Sequence, residues 1–147
     1  MKDYLFSSYT LGSNSRIFRM FQHRSNRRKL PARVVVLGAN GFIGSSTIQH
    51  LLASGVNTLP LTRNDVDLLS TNAALSLSKI LTPQDSLLFI SASAPVKNNQ
   101  MLTENITMAT NVCEALSRTP VSHLIYISSD AVYSDDSKPL TESSSRR

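Results

Sequence analysis

Three glycines, Gly38, Gly41 and Gly44 in the run Gly-Ala-Asn-Gly-Phe-Ile-Gly, are the residues of this chain whose spacing most directly suggests chemistry. They follow a continuous apolar run, Val34-Val35-Val36-Leu37, and lead into Ile48, Leu51 and Leu52 at helical spacing. A buried strand that turns through glycine into a helix presents unpaired N–H groups, and the positive end of the helix dipole, to an anion. In that setting Gly38 permits the tight turn and Gly44 lets helix and strand pack closely. Gly41 lets the backbone around Asn40, Phe42 and Ile43 approach a pyrophosphate. The spacing is G-x-x-G-x-x-G, not G-x-G-x-x-G, so the strand-turn-helix context carries the reading. The alternative is a glycine turn with no ligand.

A second position bears on which dinucleotide such a turn would take. A residue about 20 positions beyond the glycines, at the end of the next strand, contacts the adenosine ribose. The sequence there is Leu61-Thr62-Arg63-Asn64. A guanidinium at Arg63 favours a 2′-phosphate, so NADP is preferred over NAD. Asp65 is close enough in sequence to take the acidic role that NAD would need. Metal chemistry is not expected, because His23, His50 and His123 do not fall at ligand spacing. Cys113 lies on an apolar helical stripe and reads as a small hydrophobe.

The elements that position these residues alternate. Strands are expected at residues 34–37, 56–61, 66–68, 87–90 and 121–127. Pro60 weakens the second by removing a ladder donor. A helix capped at Ser54-Gly55 follows the glycines. A second carries Ala74, Leu77, Ile80 and Leu81 after a cap at Ser70 or Thr71, with Pro83 beyond its end. A third carries Leu102, Ile106, Ala109, Val112, Cys113 and Leu116 at steps of three and four. Nearly all-apolar strands between helices imply an α/β fold: a Rossmann-type, doubly wound parallel sheet in three αβα layers. The strand order expected is 3-2-1-4-5, truncated after about the fifth strand.

The chain has 147 residues, 41% of them hydrophobic, with one cysteine. That suffices for one core and excludes a disulfide scaffold or a multi-cysteine metal site. No apolar run approaches the ~18 residues of a membrane span, so a soluble, cytoplasmic protein is expected, with an organellar location as the alternative. Charge is uneven: residues 1–33 hold eight basic side chains against Asp3, and residues 34–147 hold seven basic against nine acidic. Three parts are therefore expected: a basic extension (1–32), a dinucleotide-binding domain (33–133) and a polar tail (134–147). The extension reads as a solvated arm, a transit peptide, or a surface for nucleic acid or membrane. Neither a membrane nor nucleic acid is the expected partner.

From residue 33 to about 142 the chain resembles the extended short-chain dehydrogenase/reductases, the NAD(P)-dependent epimerase/dehydratase group. The resemblance rests on Gly38 to Gly44, Asp67-Leu68, Ser91-Ala92-Ser93-Ala94, Asn105-Ile106 with Asn111-Val112, Ser128-Ser129-Asp130-Ala131-Val132-Tyr133 and Pro139-Leu140-Thr141-Glu142, in that order. It implies that Asp67 lies near the adenine, that Ala92, Ser93, Ala94 and Asn105 line the cofactor, and that Ser129 is the catalytic hydroxyl. It also implies a nucleotide-sugar or related substrate and is compatible with a homodimer.

In that family the hydroxyl works beside a Tyr in Y-x-x-x-K, whose Lys lowers the Tyr pKa. No such pair occurs in this chain: Tyr126 is followed at the fourth position by Asp130, and Tyr133 by Ser137. The expectation is therefore the cofactor-binding part of an epimerase/dehydratase or nucleotide-sugar reductase, with little activity alone. The alternative is a non-catalytic dinucleotide-binding sensor or scaffold.

Overall fold

A computed structural model of the chain describes residues 30–129, 132–134, 139–141 and 143–145. The basic extension through residue 29, and Asp130, Asp135, Asp136 and Glu142, lie outside the described residues. The element order is β1 (Arg33–Leu37), α1 (Phe42–Ala53), β2 (Thr58–Leu61), α2 (Ala73–Ile80), β3 (Asp85–Phe89), α3 (Asn99–Arg118) and β4 (His123–Tyr126). All strand pairs are parallel, in the order β2-β1-β3-β4.

Side-chain alternation on the central strand divides the core. Val35 and Leu37 join Leu87, Phe89, Leu77, Met108, Val112 and Ala115 on the side covered by α2 and α3. Val34, Val36 and Leu88 point the other way, where Ile48 and Leu51 of α1 pack on them. These two faces and the sheet between them are the three layers. Each fully buried Val or Leu contributes about 1.5–3 kcal/mol, so β1, buried from Val34 to Leu37, anchors the fold.

The strand expected at residues 66–68 is absent, and among the described residues the sheet has four strands. Pro60 explains it. Asn57 and Leu61 turn their carbonyls toward β1, accepting from the Val34 and Gly38 N–H groups. Pro60, of opposite parity, therefore faces outward and brings no N–H to a further ladder. Residues 67–69 are satisfied by side chains instead: the Leu69 N–H donates to Asp67 Oδ1 and the Leu68 carbonyl accepts from Asn111 Nδ2 at 2.8 Å.

Helix ends differ too. Asn72, not Ser70 or Thr71, is the N-cap of α2, and its own N–H donates to the Ser70 hydroxyl. Gly55 follows the α1 C-cap at φ +72, as the Ser54-Gly55 reading required. On α3 the buried face is Met108, Val112 and Ala115. Leu102, Ile106 and Cys113 are exposed, which corrects the stripe assigned to them and the burial expected for the thiol. That stripe follows apolar side chains, whereas α3 turns a partly polar face inward: Asn105 and Asn111 are used there as hydrogen-bonding ties.

At the N-terminal edge of the sheet, Arg33 makes a forked contact with Asp85, Nε to Oδ1 at 2.8 Å and Nη2 to Oδ2 at 2.7 Å. Arg33 Nη2 also donates to the Ile80 carbonyl, and the Thr82 N–H donates to Asp85 Oδ2. Burial pushes the Asp85 carboxyl up, but the Arg33 and Thr82 hydrogen bonds and the Arg33 charge outweigh it. The group is left below its ordinary pKa. The ion pair ties β1, α2 and β3 together at the end of the sheet away from the glycines.

Candidate functional site

Because all four strands run the same way, their C-terminal ends share one edge. That edge carries the glycine turn after β1, residues 62–67 after β2, residues 91–94 after β3 and Ser128-Ser129 after β4. The winding reverses across β1, which has β2 on one side and β3 on the other. A crevice at the strands' carboxyl ends, where the winding reverses, is where open α/β sheets bind ligands.

The glycine turn is built for close approach. Gly38 has φ +94, which side-chain-bearing residues rarely adopt, and a Cβ there would lie 2.9 Å from the Ser91 backbone nitrogen. A Cβ on Gly44 would collide with the Gly38 carbonyl oxygen. Helix α1 can start where it does only because both positions lack side chains.

The amides of this turn divide into two sets. The Gly38 and Ala39 N–H groups donate to the Leu61 carbonyl and the Gly41 N–H to the Gly38 carbonyl, so these are spent within the fold. The N-cap is Gly41, which has no side chain to cap the helix, and no acidic residue lies in the first turn. The first helical bond runs from the Ser45 N–H to the Gly41 carbonyl. The N–H groups of Phe42, Ile43 and Gly44 precede it and have no intrahelical acceptor. Asn40, Phe42 and Ile43 are exposed around them. Preformed donors at a helix N-terminus suit a phosphate.

After β2, Asp65 folds back on Thr62: its Oδ2 accepts from the Thr62 N–H at 2.8 Å and the Thr62 Oγ1 at 2.7 Å. The Asp65 and Val66 N–H groups in turn donate to the Thr62 carbonyl. The hydroxyl and N–H of Thr62 hold the Asp65 carboxyl below its usual range. Arg63 is exposed and meets Asp67 through Nε at 3.4 Å.

After β3, Asn105 grips Ser93 by both backbone groups: the Ser93 N–H donates to Asn105 Oδ1 at 2.7 Å, and Asn105 Nδ2 donates to the Ser93 carbonyl at 3.1 Å. The Ser93 hydroxyl donates to Glu104 Oε2. Asn105, expected along the cofactor, thus spends its amide on holding residues 91–94. Ala92 and Ala94 on either side are exposed. Ser129 lies beyond the end of β4 and is exposed.

Sequence reading names the Ser91 segment but not its place behind Gly38, and it missed Glu104, which takes the Ser93 hydroxyl. It also missed the Thr62–Asp65 turn, although the Thr-x-x-Asp spacing of a capping box was a visible signal. Among the described residues no group of three or more His, Cys, Asp or Glu is arranged to hold a metal ion. Among them, too, no helix is long and apolar enough to cross a membrane.

The family model described as "NAD dependent epimerase/dehydratase family" matches residues 34–147. This chain belongs to that family. The NAD dependent epimerase/dehydratase match begins at the second residue of β1 and takes in every other element. No curated protein matches. Among solved structures, the chain is similar to a UDP-glucose 4-epimerase from Thermus thermophilus in complex with NAD. They are 21% identical with a TM-score of 0.63, over 78% of this chain and 44% of that one. It is also similar to a GDP-L-fucose synthetase from Naegleria fowleri bound to NADP, at 16% identity and TM-score 0.64, over 85% and 40% of the two chains. A UDP-N-acetylglucosamine 4-epimerase from Bacillus cereus gives 20% identity and TM-score 0.64, over 79% and 44%. These likenesses show the fold, and the chain spans less than half the length of each of the three structures.

Proposed function

We propose that this member of the epimerase/dehydratase family binds NAD(P) at the carboxyl edge of its sheet. The observation that carries the reading is the set of N–H groups on Phe42, Ile43 and Gly44 ahead of the first bond of α1, beside a Gly38 held at φ +94. The pyrophosphate would rest on these amides and near Asn40 and Gly41. Arg63 and Asp67 would lie toward the adenosine, and Ala92, Ser93 and Ala94 along the nicotinamide side, with Asn105 holding them.

A bound nicotinamide would supply hydride transfer, and Ser129 would hydrogen-bond the substrate oxygen whose carbon is oxidised or reduced. A nucleotide-sugar is the substrate class this reading favours, since the similar structures include UDP-sugar epimerases and a GDP-L-fucose synthetase. Proton transfer to or from that oxygen needs a group of suitable pKa, and residues 1–147 contain no Tyr followed at the fourth position by Lys. Nucleotide binding with little turnover is therefore the function expected of this chain. The same missing pair favours a second reading, a dinucleotide-binding sensor or scaffold.

Titration of the purified chain with NADPH and NADH, followed by nicotinamide fluorescence and by thermal melting, tests the proposal. Saturable binding with a raised Tm is expected for at least one of them. No binding and no change in Tm with either would overturn it. A slow hydride transfer with nucleotide-sugars that disappears in Ser129→Ala would favour the enzyme over the sensor.

A further inference from the structure

We propose that Thr62 sets the nucleotide preference of this site: it claims the Asp65 carboxylate, leaving Arg63 as the charged group at the end of β2 that selects the 2′-phosphate of NADP over the hydroxyl of NAD. The inference rests on nucleotide binding at the glycine turn and adds to it a residue with no part in holding the pyrophosphate.

Three charged side chains follow β2; Asp67 is read toward the adenine, and the other two, Arg63 and Asp65, could contact the adenosine ribose and call for opposite ligands. A carboxylate accepts from ribose hydroxyls and repels a phosphate, while a guanidinium does the reverse. Arg63 and Asp65 are both exposed, so burial does not choose between them. Hydrogen bonding does. Asp65 Oδ2 already carries two donors, the Thr62 N–H at 2.8 Å and Oγ1 at 2.7 Å. The turn is closed from the other side by the Asp65 and Val66 N–H groups on the Thr62 carbonyl. A carboxylate so fixed keeps at most one oxygen for a ribose and would have to leave its turn to offer both. The depressed pKa of Asp65 agrees, because its charged form is the one Thr62 stabilises.

Arg63 is engaged differently. Its contact with Asp67 is long, 3.4 Å, uses Nε, and joins two side chains that are 70% and 46% exposed. Exposed pairs of this kind contribute little, so the guanidinium can exchange Asp67 for a phosphate at small cost. Asp67 has another task, accepting the Leu69 N–H at 3.1 Å.

The test is the ratio of NADH to NADPH dissociation constants for the whole chain, with melting curves for every variant. The wild type is expected to bind NADPH more tightly, and Arg63→Ala to lose about tenfold or more in NADPH affinity with NADH little changed. Asp65→Asn should leave NADH affinity within about twofold, because that carboxylate serves the turn. Thr62→Val, which releases one of the two donors, should narrow the ratio several-fold, and Thr62→Ser, which keeps the hydroxyl, should preserve it. A wild type that binds NADH as tightly as NADPH overturns this inference alone. So does a tenfold loss of NADH affinity in Asp65→Asn, or a ratio unmoved in folded Thr62→Val. A wild type that binds neither nucleotide overturns the nucleotide reading as well.

Discussion

Asn105 on α3 holds both the N–H and the carbonyl of Ser93, twelve residues away, with its side-chain amide. A helix on one face of the sheet thereby fixes a loop at its edge. The loop in turn brings Ser91 against the glycine turn, within 2.9 Å of where a Gly38 Cβ would stand. Three segments far apart in sequence share one short chain of contacts.

Replacing Asn105 by Leu keeps the size of the side chain and removes both bonds, stranding two partly buried backbone groups. A loss of about 1–3 kcal/mol is expected in denaturant unfolding. Weaker nucleotide binding should accompany it, measured by fluorescence titration. Asn105→Asp, which keeps the acceptor for the Ser93 N–H, should lose less.

The glycines should separate by mechanism. Gly44→Ala drives a methyl group into the Gly38 carbonyl, a backbone atom that cannot step aside, and about 2 kcal/mol or more should be lost. At Gly55, with φ +72 and nothing within 4 Å of an added Cβ, only backbone strain is incurred. Gly55→Ala should cost about 1–2 kcal/mol and leave nucleotide affinity unchanged. Parallel melting curves and titrations distinguish the two.

Acid should weaken the fold through Asp85. Its folded pKa lies below the ordinary carboxylate value, so its contribution is complete above about pH 4. That contribution disappears as pH falls through the depressed folded value. Denaturant midpoints measured between neutral pH and pH 2 should show this loss, and Asp85→Asn should flatten that part of the profile. At neutral pH Asp85→Asn should be markedly less stable than the wild type, because Arg33 then keeps its charge without a counter-ion.

The face of α3 that matters can be read from truncation. Val112 is 2% exposed and Leu102 50%. Val112→Ala should therefore lower stability by about 1–3 kcal/mol, while Leu102→Ala should stay within about 0.5 kcal/mol. Equal losses would restore the stripe drawn from apolar spacing.

Much of this architecture is legible in the sequence, because β1 and β3 are short apolar runs bounded by turn residues and the glycines fall between strand and helix. Two things are hidden, for physical reasons. Val66 and Leu68 look like a strand, but strand pairing depends on the neighbour's free amides, and Pro60 has none to give. The inward face of α3 escapes a reading by spacing because Asn105 and Asn111 are polar and yet face the fold. Hydropathy does not distinguish a solvated asparagine from one that ties backbone. At the site, the positions after each strand follow from spacing, whereas the pairing of Thr62 with Asp65 depends on a side-chain conformation that spacing does not reveal.

The Gly38 carbonyl accepts the Gly41 N–H at 3.1 Å and is packed against by Gly44. Turn and helix therefore meet at one backbone carbonyl, with little room for either to shift against the other. Little ordering entropy remains to be lost when an anion arrives, so capture should proceed at an encounter-limited rate. Discrimination between nucleotides would then reside in how long each one stays.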